Sequence, residues 1–593
     1  MSSHDPLTQP IEKPQNGVRG LKHWRYDLLA GLQVALVGLP LSLGIAVASG
    51  APPITGVISA IIAGFVFPFL GGAYVTISGP AAGLAPALLA GMLALGHGDL
   101  AVGYPLLLVA ICLTGVVQVL LSLFRAGRFA MYFPISVVEG MLMAIGMLII
   151  VKQIPSLLGY LAPPVKSIPK AILLIPEQIL RMSPEIFLIG GLALALLFFL
   201  SGRKERWATL IPAPLLVVGL GGVAGWLLQL PEEYLVHVPH DILQHGIHFP
   251  AFVDVWHQQD LWMALLLTII TLTLIDATES LATIAAVDKI DPFHRKSDPN
   301  VTLRAMGISN ILSSLAGGLT IIPGGIKSTT NILAGGRTLW ANFYYAFCLA
   351  LFLWFGTGLI NRIPLAVLAA LLIWIGWQLC APRIFWKILA IGKEQLLIAV
   401  VTVVITLYTS DLLLGVALGT LTKILVLCSD LVRASARQTT AGESSLKRSA
   451  GLLSAALEEL FSNPVIRIGD GRGSRARYSV MTVASSAIRG TVGEMKNPYK
   501  VYLSSVTCMN LMKLDKTLGK IVVPPNSKAN FMIILAGQII DHTSMEYLHH
   551  FQDQCIEAGH TCAIVGMDHF RAFSDHVLSY RVNHPRHNLI AFA

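Results

Sequence analysis

Long apolar runs separated by short polar stretches organise this chain. Residues 28–48, 54–70, 84–95, 104–124, 131–151, 185–201 and 211–230 are each long enough to span or half-span a bilayer as helices. The stretch 230–260 is polar and holds no Lys or Arg. A second set follows at 261–287, 303–319, 326–334, 341–360, 363–380, 395–409 and 411–429. The pattern predicts an α-helical polytopic membrane protein of about fourteen segments, seven plus seven, with repeats at about 28–230 and 261–435.

Two of these runs open on a break. In Thr320-Ile-Ile-Pro-Gly-Gly-Ile-Lys-Ser-Thr-Thr-Asn-Ile-Leu333, the Pro323-Gly324-Gly325 triplet cannot continue a helix cheaply, whereas Ile326 to Leu333 can start one. A helix that begins within the membrane has free N–H groups and a positive dipole end. Lys327 adds a full positive charge to that first turn. An anion held at the helix start would explain it; so would a lysine that snorkels to water. Thr76-Ile-Ser-Gly-Pro-Ala-Ala-Gly83 repeats the order of Thr, aliphatic, Pro/Gly breaker and small-residue start in the first half. Two interrupted segments in corresponding positions point to an inverted-repeat transporter with a midplane site, against the alternative of two unrelated kinks.

The character changes after Arg433. Residues 436–450 are rich in Ser, Thr, Arg and Lys and read as a linker, and 451–593 have an ordinary soluble composition. Lys500–Val506, Ala529–Ala536 and Thr561–Met567 read as strands, and Met509–Ile521 as a helix. A second helix runs to about Glu557, with Asp541 or Thr543 as its N-cap. Together they predict a small α/β domain, with 463–492 unassigned. Residues 1–20, with Pro6, Pro10 and Pro14, predict a disordered cytoplasmic tail without a signal peptide.

Composition agrees with the membrane reading. Only 13% of the residues are charged, against about 25% in soluble proteins. Lys and Arg cluster before the first run and after the fourth, sixth, eighth and twelfth, which puts one face and both termini on the cytoplasmic side of a cell (inner) membrane. Residues 152–183 disagree, carrying Lys152, Lys166, Lys170 and Arg181; the Ala171–Pro176 run reads there as an interfacial segment. The net charge of +9 suits contact with anionic lipid, and no basic stripe with interleaved aromatics suggests nucleic acid. Cys112, Cys348, Cys380, Cys428, Cys508, Cys555 and Cys562 show no metal spacing and read as free thiols.

The eighth run carries Asp276, Glu279 and Thr283 at i, i+3 and i+7, on one helical face. Carboxyls within a membrane span are functional candidates. Glu279 could pair with Lys327, take up a proton, or form an ion pair that only fixes helix packing.

Glu279-Ser-Leu-Ala-Thr283 with Asp288, then Gly317-Gly318-Leu319 through Asn331-Ile332 to Ala334-Gly-Gly-Arg-Thr338, resembles the sulfate permease (SulP) family of anion transporters. Ile77-Ser-Gly-Pro80 and Gly38-Leu-Pro-Leu41 are similar to its third and first helices, and Asp541-His-Thr-Ser544 to the turn of its C-terminal STAS domain. The resemblance covers residues 20–435 and, less specifically, the domain after them. It implies core and gate domains, alternating access and a homodimer. It also implies an anion between half-helices three and ten, near Ala81, Ala82, Leu41, Gly324, Gly325, Lys327 and Ser328, with Glu279, Asp276 and Thr283 as coupling residues. Many members carry Arg where Lys327 stands. The sodium-dependent bicarbonate branch has Gly there, with a carboxylate and Thr as sodium ligands at the Glu279 and Thr283 positions. An ammonium and Na⁺ close together repel by several kcal/mol at low effective dielectric. The expectation is therefore a proton-coupled or exchanging transporter of bicarbonate, sulfate or chloride, with a dicarboxylate open. A sodium-coupled bicarbonate symporter and an anion channel are the alternatives. Neither an enzyme nor a cofactor is expected, because no Ser/His/Asp set, zinc spacing or phosphate loop appears. His237, His240, His245 and His248 read as solvated loop histidines.

Overall fold

The computed structural model describes residues 13–125, 134–160, 167–201, 213–239, 248–293, 295–438, 454, 458–469, 499–518, 530–557 and 559–583. The first apolar set forms α1 (Trp24–Ala48), α2 (Pro53–Leu70), α3 (Ala85–Leu95), α4 (Leu100–Leu123), α5 (Ile135–Leu158), α7 (Pro184–Ser201) and α8 (Ala213–Leu227). An amphipathic helix, α6 (Ile168–Leu180), precedes α7 and is bent from it by 117°. The Ala171–Pro176 run falls inside α6, whose Leu173 and Leu180 are exposed.

The second set repeats the order. It forms α9 (Trp262–Ile290), α10 (Pro299–Leu315), α11 (Gly325–Leu333), α12 (Trp340–Phe355), α13 (Leu365–Cys380), α15 (Lys393–Thr409) and α16 (Leu412–Gln438), with the amphipathic α14 (Pro382–Ile391) before α15. Each set thus gives, among the described residues, seven helices that follow the apolar runs and one amphipathic helix between them. Among the described residues, seven helices are long and apolar enough to cross a membrane unaided, while α3 and α11 are short. The breaks that shorten them become strands β1 (Ile77–Gly79) and β2 (Ile322–Gly324).

Local sequence sets these boundaries. Asp298 caps α10, accepting from Asn300 N at 2.8 Å and Val301 N at 3.1 Å, with Pro299 at the first helical position. Gly115 on α4 and Gly307 on α10 let the two helices approach backbone to backbone; a Cβ at either would stand 2.6 Å from the other's carbonyl.

The chain divides into two compact units, Met1–Ala130 with Leu142–Cys380 and Ile405–Leu414, and Met131–Met141 with Ala381–Val404 and Gly415–Ala593. The second does not start at the expected linker. It includes most of α16, whose Leu427, Cys428 and Leu431 share a core with Leu460, Cys508, Met509, Ile539 and Tyr580. Within it, β3 (Val465–Gly469), β4 (Tyr499–Leu503), β5 (Asn530–Leu535) and β7 (Thr561–Val565) form a sheet in the order β3-β4-β5-β7. Its β4, β5 and β7 are parallel and β3 is antiparallel. Helices α17 (Leu511–Leu518) and α18 (His542–Glu557) accompany it, an α/β arrangement that fits the STAS-like expectation. Asp541 is the cap of α18, accepting from Ser544 N at 2.9 Å. A smaller sheet joins β6 (Ile539–Ile540), β9 (Arg581–Asn583) and β8 (Phe570–Ala572).

Gly17–His23 forms a 3₁₀ helix where composition predicts a disordered tail. Asn16 explains the order: its amide donates to Ala73 O and its Oδ1 accepts from Leu339 N. Residues 439–450 of the expected linker and 470–492 of the unassigned stretch lie outside the described residues, as do His240 and His245.

Candidate functional site

The two sequence breaks meet in space. β1 and β2 pair antiparallel, with Ile77 opposite Gly324, Ser78 opposite Pro323 and Gly79 opposite Ile322. Each leads into a half-helix, α3 through a 3₁₀ turn at Ala82–Leu84 and α11 directly at Gly325. Neither start has a side-chain cap: Ala81 and Gly324 stand at the capping positions and have no polar side chain. The first-turn N–H groups therefore lack side-chain acceptors.

Three side chains hold β1 in position. Ser328 Oγ accepts from Ile77 N at 3.0 Å and donates to Gly324 O at 2.6 Å. Asn342 on α12 accepts from Ser78 N at 2.9 Å and donates to Thr76 O at 2.6 Å. Asn331 donates to Val75 O at 2.8 Å. All three are fully buried. The Ser328 hydroxyl thus ties the first turn of α11 to both strands, accepting from β1 and donating to Gly324 O of β2.

Lys327 is 2% exposed. Its Nζ donates to Pro80 O at 3.3 Å and lies 6.0 Å from the Tyr345 ring centroid. It forms no ion pair with any described carboxylate. Glu279, on α9, is half-buried, and its Oε2 is enclosed without a hydrogen-bond partner. The expected Glu279–Lys327 ion pair is absent. The physical reason is that each group occupies a different gap beside the first break. A Cβ at Gly79 would stand 2.6 Å from Lys327 Nζ, and a Cβ at Gly83 would collide with the Glu279 carboxylate. Two missing side chains thus make room for two charged ones.

The remaining predicted residues fall around this pair. Ala81 and Leu41 are buried and Ala82 is half-buried, whereas Gly325 is exposed with open space where its side chain would be. Thr283 lies one turn beyond Glu279 on α9, half-buried. Asp276 lies one turn before it but faces elsewhere, toward Gln118 and Asn310. Asn342, Gln118 and Asn310 were missed by the sequence reading. Gln118 and Asn342 are lone amides in apolar helices and Asn310 lies among Ser309, Ser313 and Ser314 on α10, and that polarity within a span is the signal that could have found them. No group of three or more His, Cys, Asp or Glu side chains able to hold a metal occurs among the described residues.

Comparison with known proteins shows the family and the fold. The family model for the sulfate permease family matches residues 24–402. The bicarbonate transporter BicA of a Picosynechococcus species is 25% identical over 401 residues, covering 67% of this chain and 68% of its own. The putative sulfate transporter YvdB of Bacillus subtilis is 25% identical over 407 residues, covering 68% and 73%. The solved transmembrane domain of a cyanobacterial BicA superposes with a TM-score of 0.58 at 22% identity, over 68% of this chain and 97% of that one. The structure of SLC26A9 gives 0.62 at 17% identity, over 91% and 84%.

Proposed function

Because this chain belongs to the sulfate permease family of membrane anion transporters, we propose that it is a secondary transporter of a small inorganic anion: bicarbonate, sulfate or chloride. The observation that carries this reading is Lys327, a buried cation with no carboxylate partner beside two uncapped half-helix starts. A buried charge without a partner is expensive, and an anion supplies the missing partner. The N–H groups at the starts of α3 and α11 add donors and the favourable ends of two dipoles.

Transport proceeds by alternating access, with Glu279 as the coupling carboxylate. An unpaired carboxylate near a bound anion repels it; a protonated one does not. Anion and proton therefore enter together. The second reading is sodium symport, with Glu279 and Thr283 as ligands. The absence of a Glu279–Lys327 ion pair favours it, because the carboxylate is left free for a cation. The protein works as a homodimer in a cell (inner) membrane; the Lys and Arg distribution supports a cytoplasmic place for both termini.

The test is uptake into proteoliposomes at clamped voltage. Inward acid without sodium should drive accumulation of the transported anion, and Glu279→Gln should keep exchange but lose the response to pH. Accumulation that follows a sodium gradient and ignores pH would replace the proton with sodium. Flux that neither saturates nor is stimulated by anion on the far side would make the protein a channel.

A further inference from the structure

Asp276 is a fully buried carboxyl in a membrane helix, and the anion site leaves it without a task. Its Oδ2 accepts from Gln118 Nε2 on α4 at 2.8 Å and from Asn310 Nδ2 on α10 at 3.4 Å. The same Asn310 amide donates to Gln118 Oε1 at 2.8 Å. Asn310 Oδ1 accepts from Ile321 N at 2.6 Å, immediately before β2. No described Lys, Arg or His pairs with Asp276, and its Oδ1 has no hydrogen-bond partner.

The lead into β2 is held at three points. Leu319 N donates to Ser59 Oγ on α2 at 2.6 Å, Leu319 O accepts from Ser313 Oγ on α10 at 2.7 Å, and Ile321 N donates to Asn310. Of these anchors, Asn310 is the one hydrogen-bonded onward to α9. The chain of contacts therefore runs from the helix that carries Glu279, through Asp276 and Asn310, to the strand that opens into Lys327.

We propose that Asp276, Gln118 and Asn310 form a positioning relay that fixes β2 and the start of α11 against α9, and that Asp276 is not itself a coupling carboxylate. This rests on the reading of the β1/β2 crossing as an anion site. The relay needs from residue 276 an oxygen that accepts from two amides. It does not need a charge, and an Asn side chain supplies the same acceptor. A coupling carboxylate, in contrast, cannot be replaced by an amide without losing the cation it carries.

The experiment uses the full chain in proteoliposomes, with radiolabelled sulfate and, separately, bicarbonate as probes under imposed pH and sodium gradients. Asp276→Asn should keep KM within about threefold of the native value and keep the gradient response. Asp276→Leu and Asn310→Leu should raise KM by about tenfold or more with a smaller change in maximal rate, the split expected when an anion cradle is displaced. Asp276→Asn that exchanges anion but ignores the gradient overturns the proposal and makes Asp276 a coupling group. Unchanged KM in both leucine variants also overturns it. Should the leucine variants not fold, Asp276→Asn decides alone, since the gradient response is either kept or lost. Failure of the underlying reading looks different: the native chain would then move neither probe.

Discussion

Two buried lysines in this protein meet opposite fates. Lys423 on α16 is 1% exposed and pairs with Asp541, also buried, at 3.3 Å. Asp541 in turn accepts from Ser544 N and Cys508 N, and Lys423 lies 5.8 Å from the Tyr580 ring centroid. Lys327 is buried almost as deeply, yet its one hydrogen bond goes to a backbone carbonyl. The paired lysine is part of a structural core; the unpaired one is available to a ligand. Burial alone does not separate the two roles, but the partner does.

The comparison predicts opposite responses to removing each amine. Lys423→Ala strands the Asp541 carboxylate in a core and should cost about 3–5 kcal/mol of stability. A fall in melting temperature with anion affinity unchanged in the surviving folded fraction is the expected result. The double variant Lys423→Met/Asp541→Asn should recover part of the loss, because no uncompensated charge remains and the Asn oxygen can still accept from the Ser544 N–H of the α18 cap. If the double variant is as unstable as the single, the pair is not what holds this core. Lys327→Ala should leave the melting temperature unchanged or raise it, since an unpaired buried charge is removed. Anion affinity should fall by roughly 30-fold, the equivalent of about 2 kcal/mol for a charged hydrogen-bonding partner. Equal anion Kd in Lys327→Ala and native protein would sink the anion assignment.

The gaps beside the first break sharpen the contrast further. Gly79→Ala pushes a methyl group toward the Lys327 amine, and overpacking of this kind costs about 1–3 kcal/mol. Anion affinity should drop about tenfold. Nothing comparable surrounds Lys423, whose neighbours are a carboxylate and an aromatic ring. Binding by Gly79→Ala indistinguishable from native would mean the amine moves freely and does not need this gap.

Much of this architecture was legible in the sequence because apolar length reports membrane helices directly. Among the described residues each of the fourteen runs lies on a helix, and the Pro/Gly breaks fall where β1 and β2 precede the short α3 and α11. Residue-level partners were less legible. Glu279 and Lys327 looked like a pair by charge, but which charges meet depends on backbone crossing, and Gly79 and Gly83 receive them separately. The bond from Ile77 N to Ser328 Oγ, which ties β1 to α11 across 251 positions, was not legible either. The Lys423 pair was not legible, since its partner Asp541 lies far along the chain at the cap of α18, in the same compact unit. Pattern reveals elements and breaks; hydrogen-bond partners distant in sequence arise only when those elements pack.

The smallest expected effect lies in the acid response of the paired lysine's partner. Burial pushes the Asp541 carboxyl up, but the Lys423 ammonium, the Ser544 side chain and the Ser544 and Cys508 N–H groups outweigh it and hold the group below the ordinary carboxylate range. A carboxyl with a depressed folded value releases its proton more readily in the native state than in the unfolded one. Its contribution to stability is thus complete above the unfolded value of ~4 and disappears as pH falls through the lower folded value. His542, next in sequence, is also displaced downward, by burial, although the Leu578 carbonyl beside its ring opposes the shift. Its contribution declines in a separate window, as pH drops below the ordinary histidine value near 6.5. Melting curves should therefore show two acid-sensitive ranges. Asp541→Asn should remove the lower one, with a lower melting temperature at neutral pH, and should push the histidine range further down, because a carboxylate that favours the His542 cation is gone. His542→Gln should remove the histidine range and keep the lower one. An unchanged melting profile below pH ~4 in Asp541→Asn would show that the Lys423 pair does not depress this carboxyl. The contrast between a paired and an unpaired buried lysine would then rest on distance alone.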